Sequence, residues 1–400
     1  MPRHAERPSR PKAAPTGGVE ATLLDCFAAV APGLEMLALA EATSLGLPAR
    51  AEEGGLSWRG DARSVIQANV GLRIASRVLV RMASFEARTF IELERRGRRV
   101  PWSRVVLPGA RVRFRVTCRK SRLYHSDAVA QRLADAVVRA VPGAVVEEGS
   151  AGDDMERDDA TLFVVRFSHD RCTVSADASG ELLHRRGYRQ ATAKAPLRET
   201  LAAALVAASD WDRAAPLVDP LCGSGTIPIE AALMARRIPP GARRRFAIEG
   251  WPGIPSELGQ SVRTELGAAR LASSPAAILG GDRDAGAIES ARGNAERAGV
   301  AADVDFGLHA LSAVRLPDVD RGWIVTNPPY GVRVGEGGRV RDLWAQLGNV
   351  LRRQAPGWGV TLLSPDPALE RQLQIPLRVV ARTTNGGIPV RIVSGVVPAV

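Results

Sequence analysis

Four hundred residues are enough for two or three domains with one large core among them. Hydrophobic residues make up 45% of the chain, yet no run approaches the roughly 18 apolar residues of a membrane span, and residues 1–19 lack the apolar centre of a secretory signal. A net charge of +11 points to a polyanionic partner, nucleic acid first, although high-GC codon usage inflates Arg and Ala in the same way.

Residues 1–19 are rich in Pro, Arg, Ala and Gly without apolar periodicity and are expected to form a disordered basic tail. Thr22 to Leu47 reads as a strand followed by a helix, and Gly55 to Trp58 as a strand. Val70 to Phe85 carries Arg73, Arg77 and Arg81 at helical spacing, which predicts a basic stripe on one helix face. Pro101-Trp102 marks a joint. Arg111 to Val116 alternates strictly and predicts a strand with a basic face; Ala128 to Ala140 predicts an amphipathic helix. Thr161 to Phe167 and Arg171 to Ala176 predict a hairpin. Cys26, Cys118, Cys172 and Cys222 lie far apart without metal-ligand pairing, as in a reduced cytoplasmic protein with neither a disulfide framework nor a zinc site.

After residue 183, strand, Gly-rich turn and helix alternate, the pattern of a doubly wound parallel sheet. Strands are expected at Pro216–Leu221, Ala276–Gly280, Gly322–Thr326 (central), Val360–Ser364, Leu377–Ala381 and Val390–Val396. Helices are expected at Thr226–Arg237, Gly286–Ala298 and Val340–Gln354, and Asn385-Gly386-Gly387 is a strong hairpin turn. No internal repeat is visible.

Three stretches carry chemistry. Asp219-Pro-Leu-Cys222-Gly223-Ser224-Gly225-Thr226 joins a strand to a helix. Its glycines let the backbone approach a ligand at a helix N-terminus. It lacks the third glycine of a dinucleotide loop and the Lys of a phosphate loop. Asp219 beside the glycines suits an ammonium or sulfonium. Asp282, followed by Arg283, ends the second strand, where a carboxylate can accept both hydroxyls of a ribose; the plain alternative is a helix N-cap. The two acids are 63 positions apart, against about 20 between glycine loop and acid in a simple dinucleotide fold, so residues 238–275 are an insertion, with Arg243, Arg244 and Arg245 expected at its surface. Asn327-Pro328-Pro329-Tyr330 follows the central strand. Two prolines fix the backbone at the carboxyl edge of the sheet. The Asn327 side chain and the Pro328 carbonyl can accept N–H bonds from an exocyclic amine, while Tyr330 stacks on a planar base. Ser224 is not in a G-x-S-x-G elbow, so a hydrolase does not fit. His125, His169, His184 and His309 do not cluster in sequence.

Together these motifs resemble the class I S-adenosylmethionine-dependent amino-methyltransferases. Leu183-His-Arg-Arg186-Gly-Tyr188-Arg189 with Ala195 to Thr200 resembles the entry to the catalytic domain of THUMP-domain RNA guanine-N2 methyltransferases. Arg119-Lys120-Ser-Arg122-Leu-Tyr124-His125 and Asp177-Ala-Ser-Gly180 resemble their THUMP motifs. Ala31 to Glu35 and Asn69 to Arg73 resemble their ferredoxin-like lobe.

The resemblance covers about residues 20–400. It implies an α+β ferredoxin-like lobe at 20–70 and a THUMP RNA-binding domain at 71–182. An α/β Rossmann-like methyltransferase domain with a seven-stranded, mostly parallel sheet follows at 183–400. It also implies S-adenosylmethionine as cofactor, held by Asp219, Cys222, Gly223, Ser224, Gly225, Thr226, Asp282, Arg283 and Asn327. Catalysis is assigned to Asn327, Pro328, Pro329 and Tyr330. The expected substrate is a guanine N2 amine in structured RNA, ribosomal first and transfer RNA next. Adenine-N6 methylation and a non-catalytic RNA-binding assembly factor are the alternatives. Two departures stand out. The family often has an acid contacting adenine after the third strand, where this chain has His309 and Ala310. Many large-subunit enzymes also continue into a second methyltransferase domain with no counterpart here, which moves weight toward transfer RNA.

All three tyrosines, Tyr124, Tyr188 and Tyr330, fall inside these motifs. Tyr124 lies beside Arg119, Lys120 and Arg122, and Tyr188 beside Arg186 and Arg189. Rings for bases and cations for phosphates would suit single-stranded or bulged RNA.

Overall fold

The first layer of the fold grows from alternating apolar strands. The computed structural model describes residues 23–147, 160–190, 197–330 and 337–399, so the tail at 1–19 lies outside it. Its first half contains β1 (Leu24–Ala29), α1 (Glu35–Ser44), β2 (Arg50–Glu52), β3 (Gly55–Gly60), α2 (Ala62–Gly71), β4 (Arg77–Glu86) and α3 (Phe90–Gly97). It continues through β5 (Arg111–Arg119), α4 (Ser126–Ala140), β6 (Val145–Val146), β7 (Thr161–Ser168) and β8 (Arg171–Asp177). Among the described residues these strands make one sheet, ordered β2-β3-β1-β4-β8-β7-β5-β6. Strand β4 pairs with β1 on one side (Ala28 opposite Val78) and with β8 on the other (Val80 opposite Ala176). The stretches 20–70 and 71–182 therefore share a single sheet.

Strand β4 corrects the expected helix at Val70–Phe85. Helix α2 ends at Gly71 and the chain is extended from Arg77. Positions four apart lie on one face of a strand as well as of a helix, so the arginine spacing fits both. Nor do these arginines form a basic stripe. Buried Arg77 pairs with Asp177, and Arg81 pairs with Glu52. Arg73 donates to the Leu233 and Ile238 carbonyls of the second half. Two motifs far apart in sequence meet beside β4. The Ser179 hydroxyl donates to Asn69 Oδ1 at 2.6 Å and accepts from the Val78 N–H at 2.8 Å.

The second half contains α5 (Glu199–Ala208), β9 (Leu217–Asp219), α6 (Thr226–Ala235), α7 (Leu258–Gly267), β10 (Ile278–Asp282), α8 (Ala285–Ala298) and β11 (Val304–Leu308). Then come β12 (Trp323–Thr326), α9 (Gly337–Gln354), β13 (Gly359–Ser364), α10 (Pro367–Gln372), β14 (Leu377–Asn385) and β15 (Ile388–Val396). The sheet order is β11-β10-β9-β12-β13-β15-β14. The pairs from β11 to β13 are parallel, and β15 runs antiparallel to both β13 and β14. This is the expected seven-stranded sheet with β12 at its centre. Every residue of α6 is buried, as its lack of a polar face requires. One apolar cluster runs from the first sheet through α5, α6 and α8, and a second packs α9 and α10 against the other sheet face.

The insertion at 238–275 clasps the two halves. Helix α7 packs on α2, and Gly241 donates to the Val70 carbonyl at 2.9 Å. A side chain at Gly241 would stand 2.8 Å from Val70 Cα, so glycine permits this approach. Arg243 and Arg245 are exposed as expected. Arg244 is half-buried and donates to the Glu181 and Leu182 carbonyls.

Candidate active site

Chain order fixes where a ligand can sit. Successive strands β9, β10 and β11 step outward in one direction, and β12 then returns to the other side of β9. Such a switch opens a crevice at the carboxyl ends of the strands. Asp219 ends β9, Asp282 ends β10 and Asn327 follows β12. All three line one cleft of about 1880 Å³, together with Gly223, Pro328 and Tyr330.

The glycine loop is held from beneath and open above. Gly225 is left-handed (φ 81°), and a side chain there would stand 2.9 Å from Ala291 Cβ and from the Phe306 ring. Gly223 is also left-handed (φ 52°), but no described residue lies within 4 Å of where its side chain would be. Asn294 Nδ2 donates to the Ser224 carbonyl at 3.0 Å, and the Gly223 N–H donates to Asp282 Oδ2 at 3.0 Å. Asp282 Oδ1 takes the Asp284 N–H, and it is Asp284 that caps α8. The helix-cap role weighed for Asp282 thus belongs to Asp284, leaving Asp282 with lone pairs for a ligand. Exposed Arg283 sits at the cleft rim.

Asp219 is enclosed. Burial pushes its acid up to about 7, against the pull of the Thr326 hydroxyl and the Leu221 N–H; the nearby Asp282 charge pushes it further up. Thr326 Oγ1 donates to Asp219 Oδ1 at 2.7 Å across 107 positions, tying β12 to β9. Burial, then Asp219 and Asp282, raise the Cys222 thiol well above its usual range, so it is no nucleophile. Burial and four arginines hold His184, also in the cleft, down at about 4 and therefore neutral.

Among the described residues, Asn327 Oδ1 is buried without a hydrogen-bond partner. A sealed acceptor left unpaired costs roughly 1–3 kcal/mol, which a bound donor would recover. The stretch after it is held by two residues that sequence reasoning missed. Trp344 Nε1 donates to the Pro329 carbonyl at 3.0 Å, and Asn385 Nδ2 donates to the Tyr330 hydroxyl at 2.7 Å. His309, in place of an acid after β11, stands over glycines: a side chain at Gly281 would meet its ring at 2.3 Å.

The predicted RNA contacts divide. Arg119, Lys120, Arg122 and Tyr124 are exposed, Tyr124 at 67% with its ring 4.1 Å from that of His125. Tyr188 is a correction, whereas Arg186 and Arg189 line the cleft and are held by protein partners. Tyr188 is 3% exposed and its hydroxyl donates to Glu230 Oε1 at 3.1 Å. Buried Arg186 donates to the Leu183 and Arg73 carbonyls. Arg189 donates to Thr226 Oγ1 at 2.7 Å and to the Leu197 carbonyl. Tyr188 and Arg189 brace α6 at Glu230 and Thr226, partners 42 and 37 positions away and too distant to have been read from the sequence.

The cleft suits S-adenosylmethionine by its own donor set. It offers an acid whose Oδ2 takes no hydrogen bond among the described residues, an open glycine loop, and a second acid at the end of the neighbouring strand. Fold and cleft define a class I methyltransferase that uses S-adenosylmethionine.

Comparison with known proteins gives the family. Residues 186–389 match the RMKL-like methyltransferase domain and residues 25–79 the RlmL ferredoxin-like domain. The chain belongs to the RMKL-like methyltransferase family. It is 32% identical to slr0064 of Synechocystis, provisionally named an RNA methyltransferase, over 94% of this chain and 97% of that one. It is 35% identical to the ribosomal RNA large subunit methyltransferase K/L of Syntrophotalea carbinolica, covering 92% of this chain but only 53% of that one, so it spans about half the length of that relative. Among solved structures, it resembles a protein of Listeria monocytogenes described as a predicted N6-adenine-specific DNA methylase, with TM-score 0.82, 32% identity and coverage of 93% and 96%. SMU.472, complexed with SAH, superposes with TM-score 0.83 at 28% identity, covering 94% and 99%. No helix among the described residues is long and apolar enough to cross a membrane.

Proposed function

We propose that this chain methylates the exocyclic N2 amine of a guanine in structured RNA, with 23S ribosomal RNA the first substrate and transfer RNA the next. The observation that carries this reading is Asn327 Oδ1, buried and without a partner among the described residues, in the same cleft as Tyr330, Asp219 and Asp282. The RNA methyltransferase names of two relatives support the choice of RNA. In this reading residues 20–70 are the ferredoxin-like lobe, 71–182 a THUMP domain that grips RNA through Arg119, Lys120, Arg122 and Tyr124, and 183–400 the catalytic domain.

When bound, S-adenosylmethionine supplies an electrophilic methyl group. Asp219 would hold its ammonium, Asp282 its ribose hydroxyls, and the Cys222–Thr226 loop its backbone. A base amine is a poor nucleophile because its lone pair is delocalised into the ring. Asn327 Oδ1 and the Pro328 carbonyl accept its two N–H bonds and aim the lone pair. No strong base is required, since the proton leaves after the nitrogen becomes cationic. Positioning of this kind can supply on the order of 7–11 kcal/mol. Extruding the base costs a few kcal/mol, and stacking on Tyr330 returns about 1–3 kcal/mol.

Nucleoside mass spectrometry after incubation with each RNA pool tests the reading. N2-methylguanosine is expected, and N6-methyladenosine would hand the reaction to the adenine alternative. Asn327→Ala is expected to abolish transfer while calorimetry shows cofactor affinity almost unchanged. Equal loss of both would remove Asn327 from the role of amine acceptor.

A further inference from the structure

We propose that Asn385, on the hairpin between β14 and β15, is a positioning residue that holds the tip of the Tyr330 ring and thereby fixes where that ring stands for the target base. The proposal rests on the amino-methyltransferase reading above and deepens it.

Pro328 and Pro329 fix the main chain before Tyr330 but not its ring. The ring turns about two side-chain bonds and is only half-buried. Its two ends are held by different elements. The main chain is anchored where Trp344, fully buried on α9, donates to the Pro329 carbonyl. The ring tip is anchored where Asn385 donates to the hydroxyl at 2.7 Å. A ring whose main chain and hydroxyl are both held keeps its long axis in one place.

Asn385 is itself well placed to act as a fixed point. It pairs with Ile388 to close a two-residue turn, Gly386-Gly387, both left-handed (φ 58° and 84°). Turns of that handedness match the twist of a hairpin and hold its end pair in register. No described residue lies within 4 Å of a side chain built at either glycine, and both glycines serve the left-handed backbone of the turn. Asn385, Gly386 and Ile388 line the same cleft as the Asn327 motif. A bond across 55 positions thus joins the edge of the sheet to a ring beside its centre.

The chain has three tyrosines, so protein labelled with 3-fluorotyrosine gives three fluorine resonances, assignable by single Tyr→Phe changes. Asn385→Ala is expected to move the Tyr330 resonance and leave those of Tyr124 and Tyr188 in place. The same variant should lower kcat by about tenfold, the scale of one lost neutral hydrogen bond, with the KM for cofactor nearly unchanged. Asn385→Ala added to Tyr330→Phe should cost nothing further, because both changes delete one bond. Asn385→Asp, which can accept the phenolic proton, should restore most of the rate. An unmoved Tyr330 resonance, or losses that multiply in the double variant, would overturn the proposal. If the unaltered chain methylated no RNA, the guanine reading would fail, whereas the fluorine shift would still decide whether Asn385 holds the ring.

Discussion

Exchanging Asp219 for asparagine sets the cofactor reading against stability. Burial pushes this acid up to about 7, from an ordinary value of 3.8. Between those two pH values the folded protein keeps a proton that the unfolded chain has lost. The protonated carboxyl therefore contributes stability that is full below 3.8 and is lost as pH rises through 7. A gap of about three units corresponds to ~4 kcal/mol once the group is ionised. Asparagine has the same shape, and its carbonyl can accept the bonds from Thr326 and Leu221 without charge. The melting temperature of D219N relative to the parent is thus expected to climb through the window from pH 4 to 7 and level off above it. The rise should total roughly five degrees, from about 2.1 cal/mol/K of unfolding entropy per residue over the 400-residue chain. Scanning calorimetry of both proteins across that range measures it, and titrating groups that do not interact with residue 219 cancel in the difference. Cofactor affinity should move the opposite way, falling by about tenfold or more at pH 8 because an amide cannot pair with an ammonium. A stability difference that is flat with pH, or undiminished cofactor binding by D219N, would refute the reasoning.

Two further predictions concern the loop and the RNA surface. Gly225→Ala meets both a left-handed backbone and atoms at 2.9 Å, so it should cost about 2–4 kcal/mol in denaturant unfolding, against about 1–2 kcal/mol for Gly223→Ala, which is left-handed in open space. Replacing Arg119, Lys120 and Arg122 together with alanine should reduce the slope of log K against log salt in filter binding by about 0.7 for each single-strand phosphate that is no longer neutralised; an unchanged slope removes this patch from the interface.

The catalytic half was legible because its signals are local. The glycine turn, the strand-ending acids, the double proline and the Asn-Gly-Gly hairpin each announce themselves within a few residues. What escaped depends on partners supplied by the fold. Arg77 and Arg81 looked like a solvated stripe because Asp177 and Glu52 are far away in sequence. Tyr188 sat among cations and looked like an RNA contact, but Glu230, on an entirely buried helix, draws its hydroxyl inward. The only cue was the apolar character of Thr226–Ala235 around a lone glutamate, which demanded a buried partner. Asn385 was read as a turn residue, which it is, and the turn's geometry left its side chain free to hold Tyr330.

The seam between the two sheets has a mechanical consequence. Arg73, Arg186 and Glu230 meet in the interior there, and Gly241 is bonded to Val70 across the same boundary. Sliding one half over the other would strand charges away from water, at several kcal/mol each. The cationic loop at residues 119–122 and the methyl-transfer crevice are accordingly mounted on one stiff frame. On the proposed reading the protein behaves as a caliper: it accepts a nucleotide for its distance from the gripped part of a folded RNA, with little need to spell out the neighbouring letters.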